Sequence, residues 1–175
     1  MNASVPTAAE VGQLVCVGEG EVQSGQIDEN GHLNVIRYLD IQARATTVAC
    51  GEYGLDLSYP AECGMGLFSV DHHARYLREL RLGDAYRVHV RLLGASVTGL
   101  HTMAYMVGIA GGEVVSTLES LLLNVDLETR RVTRLRSDRA ERVAAGLRRD
   151  SALPWTSATC SSIRLRGRPL IDLPH

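Results

Sequence analysis

The hydrophobic pattern along the chain changes period more than once. Residues 11–24 (VGQLVCVGEGEVQS) alternate loosely and predict a strand. The next segment, IDENGHLN (27–34), breaks that pattern with Asp, Asn and Gly, as a loop does. From Asn34 the period becomes helical. Arg37, Asp40 and Arg44 form one narrow polar stripe, with Ile36, Leu39, Ala43 and Cys50 on one side and Tyr38, Ile41, Ala45 and Val48 on the other. A helix apolar over most of its circumference is expected to be largely buried. Asn34 suits its N-cap, and Gly54 the left-handed position after its last turn.

Beyond a Gly- and Pro-containing stretch (54–66), four runs rich in β-branched and aromatic residues predict strands: LFSVDHHARYL, AYRVHVRLL, LHTMAYMVGIA and EVVSTLESLLLNV. Leu82-Gly83-Asp84, Thr98-Gly99 and Gly111-Gly112 separate them, and the Gly-Gly pair marks a hairpin. Residues 137–149 predict a second helix, with Ala140, Val143, Ala144 and Leu147 on one face and Asp138 placed to pair with Arg142. The last 25 residues contain Pro154, Pro169 and Pro174 and read as an extension or flexible tail. The expected class is α+β: one long buried helix, then an antiparallel meander over residues 1–135, followed by a C-terminal helix and extension over 136–175.

Composition narrows the chemistry. The 175 residues suit one domain, and 45% hydrophobic with 22% charged residues excludes disordered and fibrous classes. Apolar runs stop at four or five residues, short of the roughly 18 that span a bilayer, so no membrane role is expected. All 18 basic residues are arginine. Without lysine there is no Schiff-base chemistry and no Walker-type phosphate loop. Seven Arg face 14 acids in residues 1–125, whereas 11 face six in 126–175. That basic end falls in the appended helix and tail and fits a phosphate-bearing ligand or a partner subunit, so no nucleic-acid partner is expected. Cys16, Cys50, Cys63 and Cys160 show no CxxC pairing, and the N-terminus lacks a secretory pattern, so reduced thiols in a cytoplasmic protein are expected.

The densest chemistry is Asp28-Glu29-Asn30-Gly31-His32-Leu33-Asn34, a carboxylate, a carboxamide and an imidazole in one turn at a helix N-terminus. Free N–H groups and the positive end of the helix dipole favour a developing negative charge there. A carbonyl placed there is polarised while the carboxylate activates water or attacks. The same residues also make a plain capped turn, with Asn34 as the cap.

Asp28 through Tyr38, D-x-N-G-H-x-N-x-x-x-Y, resembles the signature of hot-dog-fold thioesterases. Residues 70–84, containing RYLRELRLGD, are similar to the branch with acyl-CoA and betainyl-CoA thioesterases, and Asn124 to Arg131 resembles that family's closing strand and turn. The resemblance implies an antiparallel sheet wrapped around the central helix, paired across a homodimer or tetramer, with the active site at the subunit interface. It implies an acyl-CoA substrate, no cofactor, and Asp28 as general base or nucleophile. Backbone N–H groups around Asn34 and Val35 would hold the oxyanion, and Asn30 and His32 match residues that position water or substrate. Tyr38 closes the motif and, by the resemblance, would lie beside the substrate. Val35 replaces a second Asn found in many members, and Arg37 stands where the branch often has an aromatic or small residue.

Outside the motif, Arg75, Arg78 and Arg81 recur at spacing three, and Arg75 is a candidate for CoA phosphates or a solvated edge. Glu119 sits in an apolar strand run, either edge-exposed or directed at something near the substrate. His72 and His73 point to opposite faces of a strand and cannot share one ion; no spacing along the chain points to a metal. Few aromatic residues are available to cage a quaternary ammonium such as betaine. Two other readings stay open: a hot-dog dehydratase or hydratase, which would need a His absent from the central helix, and a non-catalytic acyl-CoA-binding or assembly domain.

Overall fold

The computed structural model describes residues 4–171. Its elements run α1 (Ala8–Val11), β1 (Cys16–Glu21), α2 (Val35–Cys50), α3 (Tyr59–Cys63), β2 (Met65–Tyr76), β3 (Ala85–Ser96), β4 (Gly99–Gly108), β5 (Glu113–Asp126) and α4 (Ser137–Ser151). One antiparallel sheet has the order β1-β3-β4-β5-β2. Bulges in β2 between Ser69 and Asp71, and in β3 between Leu92 and Gly94, add the twist that lets the sheet curve around α2. This is the hot-dog arrangement expected from the sequence.

Local signals set most boundaries. Asn34 Oδ1 accepts the Ile36 N–H at 2.9 Å and opens α2, while Gly54, at φ +68°, closes the 3₁₀ turn that follows it. Gly112 at φ +59° and Gly83 at φ +84° turn the chain between strands. The first strand is shorter than the alternation predicts. A capping box between Thr7 and Glu10 starts α1 at the head of the expected 11–24 run, leaving β1 only from Cys16.

The inner face of the sheet packs Val88, Ala104, Met106 and Leu118 against Tyr38 and Ala45 of α2. Gln42 and Thr46 are also buried there, Gln42 Nε2 donating to Ser116 Oγ on β5 at 3.0 Å. The opposite side of α2 corrects the expectation of an enclosed helix: Ile36 is 67% and Val48 60% exposed. A single curved sheet covers one side of a helix, and among the described residues no second layer covers the other.

The C-terminal residues pack against the sheet rather than trailing away. Val143 and Leu147 of α4 join Leu92, Tyr53 and Leu135, while Asp138 pairs with Arg139 (3.3 Å) and Arg136 (3.7 Å) instead of the expected Arg142. The chain then rounds the β3 edge and runs over the outer face. Trp155 packs edge-on to Tyr105 with ring centres 5.8 Å apart, the Arg91 guanidinium lies 4.1 Å over the Trp155 ring, and Ile163 is buried. Residues 168–170 end as an added strip on β3, through Val97 N–H to Arg168 O and Leu170 N–H to Ala95 O.

Candidate active site

Asp28 is fixed by its own turn. Its Oδ1 accepts the Asn30 N–H at 2.9 Å and, more weakly, the His32 N–H at 3.4 Å, while Gly31 supplies φ +80°. The Asp28 N–H donates to His32 O and an Ile27–Leu33 bridge closes the loop. Oδ2 has no hydrogen-bond partner among the described residues, and Asp28 lines an open groove of about 380 Å³. His32, Val35, Tyr38, Tyr76 and Glu79 line the same groove.

The helix N-terminus offers fewer donors than the sequence implies. The Asn34 N–H is consumed by Gln26 O at 2.8 Å, and the Ile36 N–H by the Asn34 side chain. That leaves the Val35 N–H, without an acceptor among the described residues, at the groove. This corrects the pair of donors to one.

Tyr38 acts as an anchor. Its hydroxyl accepts the Leu80 N–H at 2.9 Å and donates to Arg78 O at 3.3 Å, holding residues 78–80 against α2. Burial, then the nearby carboxylates Glu79, Asp84 and Asp28, raise its phenol above the usual value, outweighing the opposing Leu80 bond. The clamp therefore stays protonated wherever the protein is folded and working. Tyr38→Phe leaves the buried Leu80 N–H unpaired and is expected to lower stability by about 1–3 kcal/mol. Urea unfolding monitored by circular dichroism reads the loss; an unchanged midpoint would show that the clamp contributes nothing.

The His32 imidazole pairs away from Asp28. Its Nε2 lies 2.9 Å from Glu79 Oε2, and Glu79 Oε1 lies 2.6 Å from Arg81. Tyr76 and Glu79 are groove residues that sequence reasoning missed. Glu79 lies in the loop beyond β2, where no alternation reports direction. The same loop explains why Arg78 and Arg81 do not continue the strand pattern of Arg75; Arg78 pairs instead with Glu113 at 3.2 Å.

The remaining candidates are not gathered at this groove. The Asn30 side chain is exposed at the turn tip and does not line it. Arg75 and Glu119 stand on the outer face of the sheet, paired with Thr117 and His73 respectively. Glu119 is not at an edge: it is 0% exposed, and His101 Nε2 lies 2.8 Å from its Oε1. His72 and His73 do face opposite ways. His72 contacts Ser120 Oγ at 2.9 Å in an inner pocket of about 240 Å³ between α2 and β2, whereas His73 faces Glu119.

Residues 22–144 match the family model of the thioesterase-like superfamily. The betainyl-CoA thioesterase of Pseudomonas aeruginosa is 29% identical over 142 residues, covering 81% of this chain and 89% of that protein. The L-carnitine dehydrogenase/betainyl-CoA thioesterase of Agrobacterium fabrum is 35% identical over 113 residues, 65% of this chain; the chain spans only 23% of that protein's length. A Staphylococcus aureus protein solved in complex with CoA superposes at a TM-score of 0.77, with 22% identity, over 95% of this chain and 100% of that chain. With 22–144 matched and the fold shared, the chain belongs to the thioesterase-like superfamily.

Proposed function

We propose that this protein hydrolyses an acyl-CoA thioester to free acid and CoA in the groove at the α2 N-terminus. The observation that carries the reading is that one open groove is lined by Asp28, whose Oδ2 has no partner, and by Val35, whose N–H has no acceptor, among the described residues. A thioester carbonyl directed at the Val35 N–H is polarised by that donor and by the helix dipole. Asp28 then takes a proton from an attacking water, or attacks the carbonyl itself to form an anhydride that water opens. In either route the carbon–sulfur bond breaks and the CoA thiolate leaves, taking up a proton.

Relatives named betainyl-CoA thioesterases support a short acyl group, and the groove adds a chemical reason for a cationic one. Tyr76 presents its ring edge-on to Tyr38, with centres 5.4 Å apart, beside the carboxylates of Asp28 and Glu79. An exposed ring next to two acids suits a quaternary ammonium better than a long apolar chain.

A homodimer completes the reading. β2 is an edge strand of 12 residues with Phe68, Val70 and Tyr76 exposed, and the uncovered side of α2 carries Ile36 and Val48. A long apolar edge left open invites pairing with a second copy. The test is free-thiol release from acetyl-, butyryl-, benzoyl-, palmitoyl- and betainyl-CoA. Hydrolysis with the highest kcat/KM among the short substrates, betainyl-CoA included, is expected. No release from any of them would leave acyl-CoA binding without catalysis as the function.

A further inference from the structure

A second cluster of reactive side chains lies on the outer face of the sheet, away from the groove. His73 of β2, Glu119 of β5 and Cys160 of the C-terminal segment each direct a ligand atom inward, all within 4.8 Å of one another. His73 Nδ1 is 4.0 Å from Glu119 Oε2. The Cys160 backbone N–H donates to the same Oε2 at 2.7 Å, and His101 holds Oε1 at 2.8 Å. Among the described residues this is the one place where three such groups converge.

We propose that His73, Glu119 and Cys160 form a Zn²⁺ site that fastens the C-terminal segment to the sheet. The donor set is an imidazole nitrogen, a carboxylate oxygen and a sulfur, the mixture that zinc accepts at bond lengths of about 2.0–2.3 Å. Tetrahedral bonds of that length put donors roughly 3.3–3.7 Å apart, so the cluster closes by about an ångström on binding. Cys160, carried on an irregular segment, can make most of that movement. On binding, the Cys160 S–H bond breaks, its proton passes to solvent, and a Zn–S bond forms with no change of oxidation state. Thiolate and carboxylate together then balance the charge of the ion.

The surroundings fit a built site. His101 orients the carboxylate through the oxygen that does not face the metal, the usual place for an outer partner. Glu119 is sealed in the sheet, while the His73 side chain is 43% exposed and Cys160 partly so, which gives the ion a way in. The ligands lie far apart in sequence on two strands and the tail, which is why no spacing pattern reveals them.

The full chain, stripped with EDTA, dialysed and titrated with ZnCl₂, tests this. A single retained Zn²⁺ per chain, slower alkylation of Cys160 by iodoacetamide, and a Tm rise of roughly 5–10 °C at free Zn²⁺ about 100 times Kd are expected. His73→Ala and Cys160→Ser, both at partly exposed positions, should keep the metal-free Tm, weaken binding at least about tenfold, and abolish the rise. Equal zinc affinity in wild type and both variants, or unprotected Cys160 and no retained zinc in the wild type, would overturn the assignment.

Discussion

Asp150→Ala is expected to cost about 3–5 kcal/mol, a large share of the roughly 5–15 kcal/mol that holds a typical domain together. β1 pairs with β3 no further than His89, and beyond that point Asp150 stands in for the missing strand. Its Oδ2 accepts the buried Leu92 N–H at 2.8 Å and its Oδ1 accepts Arg149 Nε at 2.9 Å. Its main-chain carbonyl takes an N–H from the buried Arg91, whose other arm donates to Trp155 O at 2.8 Å. Removing the carboxylate orphans the Leu92 N–H and strips negative charge from beside two guanidinium groups. Urea unfolding should show a lower midpoint with an unchanged slope. Asp138→Ala, on the exposed side of the same helix, should move it by no more than about 1 kcal/mol. Equal midpoints for wild type and Asp150→Ala would mean that α4 is not clamped to β3.

That clamp marks where the sequence stopped being informative. Periodicity located α2 and the four later strands because each pattern is local and recurs within a few residues. Asn34, Gly54 and Gly112 could be read as punctuation for the same reason. Periodicity does not report how many sides of an apolar helix find cover, so the exposure of Ile36 and Val48 was not visible. Gln42 broke the pattern from the other direction, as a polar residue buried because Ser116 on a distant strand meets its amide. The C-terminal segment was the least legible. Trp155 and Ile163 follow no period, and the segment's bonds go to partners far apart in the chain, Gln13, Arg91, Tyr105 and Glu119, which sequence does not display. Two arginines of the Arg-rich end reach back to the body of the chain, Arg149 to Glu52 and Arg139 to Glu62.

The groove was more legible, since Asp28, Gly31, His32 and Asn34 form one turn; residue type and helix position fitted a plain capped turn as well, and the proposed role came from the family resemblance. Glu79 reaches it from another loop and was missed. Arg75 was offered to CoA phosphates as one of three recurring arginines and Glu119 to the substrate as a carboxylate in an apolar run, and strand parity sends both to the outer face.

Within the groove, Asp28→Asn separates chemistry from architecture. The Asn Oδ1 can still accept the Asn30 and His32 N–H groups, so the turn and the start of α2 survive. The other oxygen becomes an amide nitrogen, which neither takes a proton from water nor attacks a carbonyl. The expected result is a kcat lowered by about 10²–10⁴, with KM little changed, because the bound thioester keeps its Val35 N–H contact. A matching rise in KM with kcat intact would make Asp28 a binding residue instead.

Free-thiol release from a single acyl-CoA, followed side by side for wild type and Asp28→Asn at equal concentration and with matching melting temperatures, tests the groove as the catalytic centre most directly. The wild type should release CoA and the variant should do so about 10²–10⁴ times more slowly; equal rates in the two proteins would contradict the account.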